Sequence, residues 1–455
     1  MKGKIASVVL AAGKGTRMKS DTPKVLFPVA GKLMLQHIVD ILVEAGIDDI
    51  YAVVGYGAKK VQAAINGPIT WVEQREQLGT GHALSRAGGS LRGYSGDVLV
   101  LAGDTPLLTV ATLRDLVAEH TLGKNAATVL SARVPQPTGY GRIVRGSNGS
   151  VIAIAEEKDA DSNQKKINEI NSGTYCLNWA KVEPLLDSLS SNNAQGEYYL
   201  TDIFSLLVLN GEKTGAYSVS DYQEIMGTND RVQLALAEKT MRLRICHDLM
   251  RQGVSILDPD TTWIDADVEV GAETILLPQT IIKGGTKIGG NCRIGPNVTI
   301  DSCLLGTGVV VRYAVMEGAT VDDNSTVGPF AYLRPGTQIG RQVKIGDFVE
   351  IKNSSVGQGS KVPHLAYVGD AQVGANSNIG CGVITANYDG TKKSKTEIGD
   401  GVFIGSNTNL VAPVKVADGA YVAAGSTITK DVPAKTLAIA RARQTNKSDW
   451  RRKKD

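Results

Sequence analysis

Residues 321–352 read VDDNSTVGPFAYLRPGTQIGRQVKIGDFVEIK, with an aliphatic side chain at every sixth position: Val321, Val327, Leu333, Ile339, Ile345 and Ile351. Residues 398–428, IGDGVFIGSNTNLVAPVKVADGAYVAAGSTI, repeat the pattern with Ile398, Ile404, Leu410, Val416, Val422 and Ile428. Gly, Asp or Ala usually follows each hit, as in Ile345-Gly346 and Ile404-Gly405. Neither a helix, with period 3.6, nor a flat strand, with period 2.0, generates a period of six. A coil of three short parallel strands with a tight corner after each does, because one aliphatic per side points inward and stacks on the coil below. Six successive hits by accident have a probability of about one in 10⁴ at ordinary aliphatic frequency. The second half of the chain is therefore expected to be a hexapeptide β-helix, with its first, less regular coils near Val254.

At 455 residues the chain exceeds what one core usually supports, so two domains are expected. A hydrophobic content of 42% and a charged content of 21% describe a globular protein, and a net charge of +3 is too small to suggest nucleic acid as a partner. The basic run Arg451-Arg452-Lys453-Lys454 reads as a solvated end. Cys176, Cys246, Cys292, Cys303 and Cys381 are odd in number and lack metal-ligand spacing, which fits reduced thiols and a cytoplasmic location. No apolar stretch approaches the ~20 residues of a membrane span, and no signal-peptide pattern is seen.

From residue 1 to about 226, strand candidates at 6–10, 49–54, 98–102 and 126–131 alternate with helical patterns such as Met34, Ile38, Ile41 and Leu42, closed by Gly46. Such alternation predicts a mostly parallel, Rossmann-like α/β sheet, with ligands beyond the carboxyl ends of its strands. The first of those turns is Leu10-Ala11-Ala12-Gly13-Lys14-Gly15-Thr16-Arg17, with Pro23-Lys24 soon after. It is neither a Walker loop nor Gly-x-Gly-x-x-Gly, but its glycines and cations suit a phosphate. Another strand ends in Gly103-Asp104-Thr105-Pro106, where a lone carboxylate suits Mg²⁺. Residues 228–252 follow a helical pattern on Val232, Leu236, Leu243, Cys246 and Met250, which divides the chain into 1–227, a linker helix, and 253–455.

Departures from the repeat mark candidate sites in the second half. One is Lys361-Val362-Pro363-His364-Leu365-Ala366-Tyr367, read as a disturbance of the hexad that carries this half's only histidine; the other is a polar insertion between Ile379 and Ile398.

Leu10-Ala11-Ala12-Gly13-x-Gly-Thr-Arg with Pro23-Lys24-Val25-Leu26 resembles the signature of sugar-nucleotide pyrophosphorylases. So do Gln74, Gln77-Leu78-Gly79-Thr80-Gly81-His82, Thr138-Gly139-Tyr140-Gly141-Arg142, Glu156-Glu157-Lys158, Asn168-Glu169-Ile170-Asn171-Ser172-Gly173, Asn192-Asn193-Ala194-Gln195-Gly196-Glu197-Tyr198-Tyr199 and Gly227-Thr228-Asn229. Joined to a hexapeptide β-helix, these motifs resemble the family of bacterial bifunctional enzymes that acetylate glucosamine-1-phosphate and then uridylylate the product, over nearly the whole chain.

The resemblance implies a left-handed parallel β-helix, assembly as a homotrimer, Mg²⁺ as cofactor, UTP and acetyl-CoA as co-substrates, and UDP-N-acetylglucosamine for the cell wall as product. It implies Arg17 and Lys24 as the cations on the triphosphate, and Asp104 and Asn229 as the Mg²⁺ ligands. Leu10, Ala11, Ala12, Gly13, Gln74, Gly79 and Thr80 would hold the nucleotide, and Gly141, Glu156 and Asn171 the sugar. His82 matches no catalytic role. In the second half His364 would be the general base, a task suited to an imidazole, and Glu350 would orient it. Arg334, Lys352 and Lys393 would bind the sugar phosphate, Tyr367 and Asn378 the sugar. Cys381, Asn387, Tyr388, Ser406, Ala424 and Arg441 would contact acetyl-CoA. Three residues depart from the common pattern: Cys381, Pro363 before His364, and Phe27. The rival is a single-activity pyrophosphorylase whose β-helix only assembles or regulates it; His364, Tyr367 and the lysine-bearing loop speak against that reading.

Overall fold

The computed structural model describes residues 4–448 and Trp450; the basic run at 451–454 lies outside the described residues. The chain divides into two compact units, Met1–Met241 and Arg242–Asp455. No helix among the described residues is long and apolar enough to cross a membrane.

In the first unit the sheet is built from β1 (Ile5–Ala11), β2 (Ile50–Val54), β3 (Ile69–Glu73), β4 (Asp97–Ala102), β5 (Ala127–Arg133), β6 (Arg142–Arg145), β7 (Val151–Ala155), β8 (Glu169–Asn178) and β9 (Thr214–Val219). Its main path runs β9-β5-β8-β4-β1-β2-β3, with β6 and β7 branching from β8. β1 pairs in parallel with β2 and β4, while β8 runs antiparallel between β4 and β5. Both faces of the central strands are apolar. Ala6, Val8, Val98 and Val100 pack on one side with Leu84 and Phe204; Val9, Leu99 and Leu101 pack on the other with Leu35, Ile38 and Leu113. This is the pattern of strands covered by helices on both faces. The chain leaves β1 toward β2 on one side and reaches β4 on the other, so a crevice opens at the carboxyl ends of β1 and β4.

The helix α1 (Arg231–Arg251) starts three residues later than its pattern suggested. Asp230 caps it, its carboxylate accepting from the Val232 and Gln233 N–H groups at 3.0 and 2.9 Å. The expected apolar stripe needs correction. Val232 and Leu236 are exposed, at 79% and 49%, and the buried apolar residues are Ala237 and Met241 in the first half, Cys246 and Leu249 in the second. The two halves belong to different units, so no single stripe serves the whole helix.

Among its described residues the second unit forms three parallel sheets of eleven, ten and nine short strands, each complete coil giving one strand to each sheet. All twelve aliphatics of the two sequence runs are buried. In the first sheet Val327, Ile345 and Val362 stack in register, and Ile379, Ile404 and Val422 continue the same column. The expected disturbance at 361–367 is corrected: Val362 and Val368 stay buried and in phase. The shortened steps are Ile351 to Val356 and Val368 to Val373, with Asn353 and Asp370 taking left-handed φ values of 45° and 48° at those corners. The polar insertion is also narrower than expected, since Thr385 is buried in the strand Ile384–Ala386.

Candidate active sites

The crevice at the carboxyl ends of β1 and β4 is a cleft of about 320 Å³ walled by Leu10, Ala11, Ala12, Gly13, Lys24, Gln74, Gly79, Thr80 and Asp104. Gly15 turns left-handed at φ 63°, and a side chain there would collide with the Lys24 stem, so glycine is what lets Lys24 lie across the loop. A Cβ on Gly13 would meet no atom within 4 Å, which leaves backbone open toward the cleft. The buried Gln74 amide is fixed by His82 Nδ1 at 2.9 Å and donates to the Gly79 carbonyl at 3.2 Å. His82 thus has a structural role.

Asp104, from the middle of the unit's sequence, and Asn229, from near its end, meet on one cation. The Lys24 ammonium pairs with Asp104 Oδ2 and reaches Asn229 Oδ1 at 3.0 Å. The approach is locked from both sides: Thr228 N–H donates to the Asp104 carbonyl at 2.9 Å, and Gln233 Oε1 accepts from Asn229 N–H at 2.7 Å. One carboxylate and one amide oxygen converging on a positive charge fit a hard divalent cation that completes its shell with water and phosphate. Arg17 is exposed on the turn Thr16–Met18 and does not line the cleft.

Gly141, Glu156 and Asn171 gather around Tyr175, a cleft residue, without themselves lining the cleft. Asn171 donates to the Gly141 carbonyl from its N–H and to the Tyr175 hydroxyl from Nδ2, both at 2.9 Å. Burial lifts the Glu156 carboxyl above the ordinary range, although Thr201 donates to it at 3.0 Å. The sequence assigned no role to Gln77, Tyr175 or Glu197, which also line the wall. Gln77 and Glu197 stand inside quoted motifs, but Tyr175 carries no local signal. A separate group, the half-buried Asp97 with the buried His120 and Cys176, lies at the other end of β4 from this cleft.

On the β-helix the expected residues fall into rows. Register places Asp347 opposite His364 on neighbouring coils, and the ladders of the first sheet carry the same corner position through Cys381, Ser406 and Ala424. Arg441 follows, its side chain 3.9 Å from where a Cβ on Gly425 would stand. His364 thus shares one column with three of the six residues expected at acetyl-CoA, and Arg441 lies one position beyond it on the last coil. Asn387 and Tyr388 do not join it: the Asn387 amide is buried and donates to Asp370, and the exposed Tyr388 hydroxyl donates to the Gly390 carbonyl at 2.6 Å. Asn378 lies in the first sheet, opposite Lys361.

Glu350 and Tyr367 pair in the second sheet, with Lys352 opposite Gly369. Arg334 donates to Glu350 at 2.9 Å. The Lys393 ammonium is held below its ordinary range by hydrogen bonding and repulsion from Lys352, with Asp370 and Tyr367 opposing. Two ammonium groups close enough to repel one another suit a dianion, and a phosphate is such a ligand. The expected Glu350–His364 contact is corrected within the chain. Glu350 answers Arg334 in the second sheet, and the carboxylate on His364 Nδ1 is Asp347 in the first. Phase slips between coils hid that pairing from the sequence.

Comparisons with known proteins agree with this division. Residues 7–165 match the model of the MobA-like NTP transferase domain, and residues 267–302, 318–353 and 395–430 match the bacterial transferase hexapeptide repeats. The chain is 49% identical over 453 residues to "Bifunctional protein GlmU" of Shouchella clausii (strain KSM-K16), covering 100% of both chains. It is 51% identical to the protein of the same name from Brevibacillus brevis, covering 99% of this chain and 98% of that one. The Geobacillus sp. (strain WCH70) relative is 50% identical, covering 98% and 97%.

Fold and sites define a nucleotidyltransferase domain fused to a left-handed hexapeptide β-helix transferase. The chain belongs to the bifunctional GlmU family, and it is a bifunctional transferase joining a uridyltransferase to an acetyltransferase.

Proposed function

We propose that the β-helix acetylates glucosamine-1-phosphate with acetyl-CoA and that the first unit then transfers uridylyl from UTP to the product, giving UDP-N-acetylglucosamine and pyrophosphate. The convergence of Lys24, Asp104 and Asn229 at the mouth of the cleft carries this reading.

In the first unit a phosphate oxygen of the sugar attacks the α-phosphorus of UTP, and the bond to pyrophosphate breaks. Positioning and charge neutralisation are the protein's main contributions to such a step. The 10–13 loop, Gln74, Gly79 and Thr80 hold the nucleotide. Gly141, Glu156 and Asn171 orient the sugar through the Tyr175 neighbourhood. Lys24 neutralises the triphosphate, joined by Arg17 once that side chain turns in from its exposed place on the neighbouring turn. Asp104 and Asn229 hold Mg²⁺, which supplies charge neutralisation on the phosphates when bound.

In the second unit His364 takes a proton from the amine as its nitrogen attacks the thioester carbonyl and the CoA thiolate leaves. Arg334, Lys352 and Lys393 bind the sugar phosphate, Tyr367 and Asn378 the sugar, and the Cys381, Ser406 and Ala424 column, with Arg441 beside its end, lies along acetyl-CoA, with Asn387 and Tyr388 at its border. The protein works as a cytoplasmic homotrimer. Support for the assembly comes from an exposed corner ladder, Tyr313–Phe330–Phe348, with ring centroids 5.4 and 5.2 Å apart beside a groove of about 610 Å³. Continuous exposed apolar surface of this kind is typical of an interface.

Incubation of the full chain with glucosamine-1-phosphate, acetyl-CoA, UTP and Mg²⁺ tests the reading. UDP-N-acetylglucosamine should form only when acetyl-CoA is present. UDP-glucosamine as the main product would contradict the proposed order.

A further inference from the structure

We propose that Asp347 is the positioning residue of His364, holding its Nδ1–H so that Nε2 is the nitrogen that accepts the amine proton. This rests on the reading of His364 as the base.

Parallel strands lie about 4.8 Å apart, and the register puts Asp347 and His364 opposite one another on adjacent coils with both side chains outward. Their backbones cannot drift apart easily. A Cβ on Gly346 would run into the Pro363 carbonyl, so the two coils are in tight contact one residue before each side chain. Phe348 and Leu365 then turn the corner together, at φ 55° and 44°. In this fixed frame Asp347 Oδ1 meets His364 Nδ1. The carboxylate accepts, Nδ1–H donates, and the lone pair is left on Nε2. When Nε2 takes the amine proton, the imidazolium formed stays paired with Asp347.

The Asp347 carboxyl is held below the ordinary carboxylate range, first by its hydrogen bond to His364, with charge from His364 and Lys344 helping. Lys344 stands on the strand of Asp347, Lys361 opposite it on the strand of His364, and the Cys381 thiol on the next coil of the column. No second carboxylate competes from Glu350, which answers Arg334.

The experiment compares Asp347→Ala, Asp347→Asn and His364→Ala in the full-length protein, measuring thiol release from acetyl-CoA against pH, with uridylyl transfer as the control for folding. Asp347→Ala should lower kcat about tenfold, leave KM for both substrates within about twofold, and move the acid limb of kcat/KM to lower pH. Asp347→Asn keeps an oxygen that accepts from Nδ1–H, so it should recover most of kcat while retaining the shifted limb. A shifted limb in the near-isosteric Asn variant is not produced by a merely structural role. Wild-type kcat and an unmoved limb in both variants, with His364→Ala inactive, would overturn the role of Asp347 alone. Full acetyl transfer by His364→Ala would overturn the reading of the base itself.

Discussion

The two units present their chemistry in different ways. In the doubly wound sheet, loops from distant parts of the sequence gather at one edge, so Lys24, Asp104 and Asn229 meet although 205 residues separate the first from the last. In the β-helix each coil gives one strand to each of three faces, so candidate residues form rows: Asp347, His364, Cys381, Ser406 and Ala424 along a corner, Arg334, Glu350, Lys352 and Tyr367 on the second sheet. A sheet edge makes a cleft from one chain. A solenoid face makes a row, and the proposed trimer is what would turn rows into walls.

The largest test of this contrast is Asp104→Ala. It should lower uridylyl transfer about 10³-fold by removing the charged half of the metal site, with thiol release from acetyl-CoA unchanged; parallel loss of both activities would break the separation. Next is Gly346→Ala. The added methyl has no room beneath Pro363, so acetyl transfer should fall at least about tenfold through a displaced His364, with nucleotidyl transfer intact in the same preparation. Ile404→Ala removes a fully buried rung and should cost about 2–5 kcal/mol, read as an earlier denaturant transition of the β-helix while a first-unit probe holds its midpoint. The smallest effect concerns Glu169, which is buried on β8. Burial raises its pKa, but hydrogen bonds from Arg145 and Ser131 and the charge of Arg145 more than offset this, leaving the carboxyl below its ordinary 4.5. A depressed carboxyl stabilises the fold above its unfolded pKa and loses that contribution as pH falls through the folded one. Glu169→Gln should therefore destabilise the first unit at pH 7, with the gap closing below about pH 4 in thermal melts; a gap independent of pH would contradict the pairing.

Much of this was legible in the residues. A period of six has one geometric cause, and the inward aliphatics follow it through both runs. The strand ends carrying Gly13 and Asp104 were legible because each strand is a short apolar block closed by a turn. The phase slips at Asn353 and Asp370 were not, because a one-residue shortening looks like noise until coils are stacked. That same uncertainty concealed Asp347 opposite His364, while Glu350, three residues on, rested on the family resemblance and not on coil register. The stripe on α1 was misread because a single helical period assumes a single partner, while its halves belong to different units. Tyr175 stayed hidden for another reason: it sits in a strand, and only its neighbours give it a place in the cleft.

The most direct test of two separate chemistries in one chain is thiol release from acetyl-CoA with glucosamine-1-phosphate as acceptor and UTP absent, in wild type and His364→Ala. The account predicts release in wild type, its loss in His364→Ala, and unchanged uridylyl transfer to N-acetylglucosamine-1-phosphate in the variant. No release from folded wild-type protein, or full release from the variant, would contradict it.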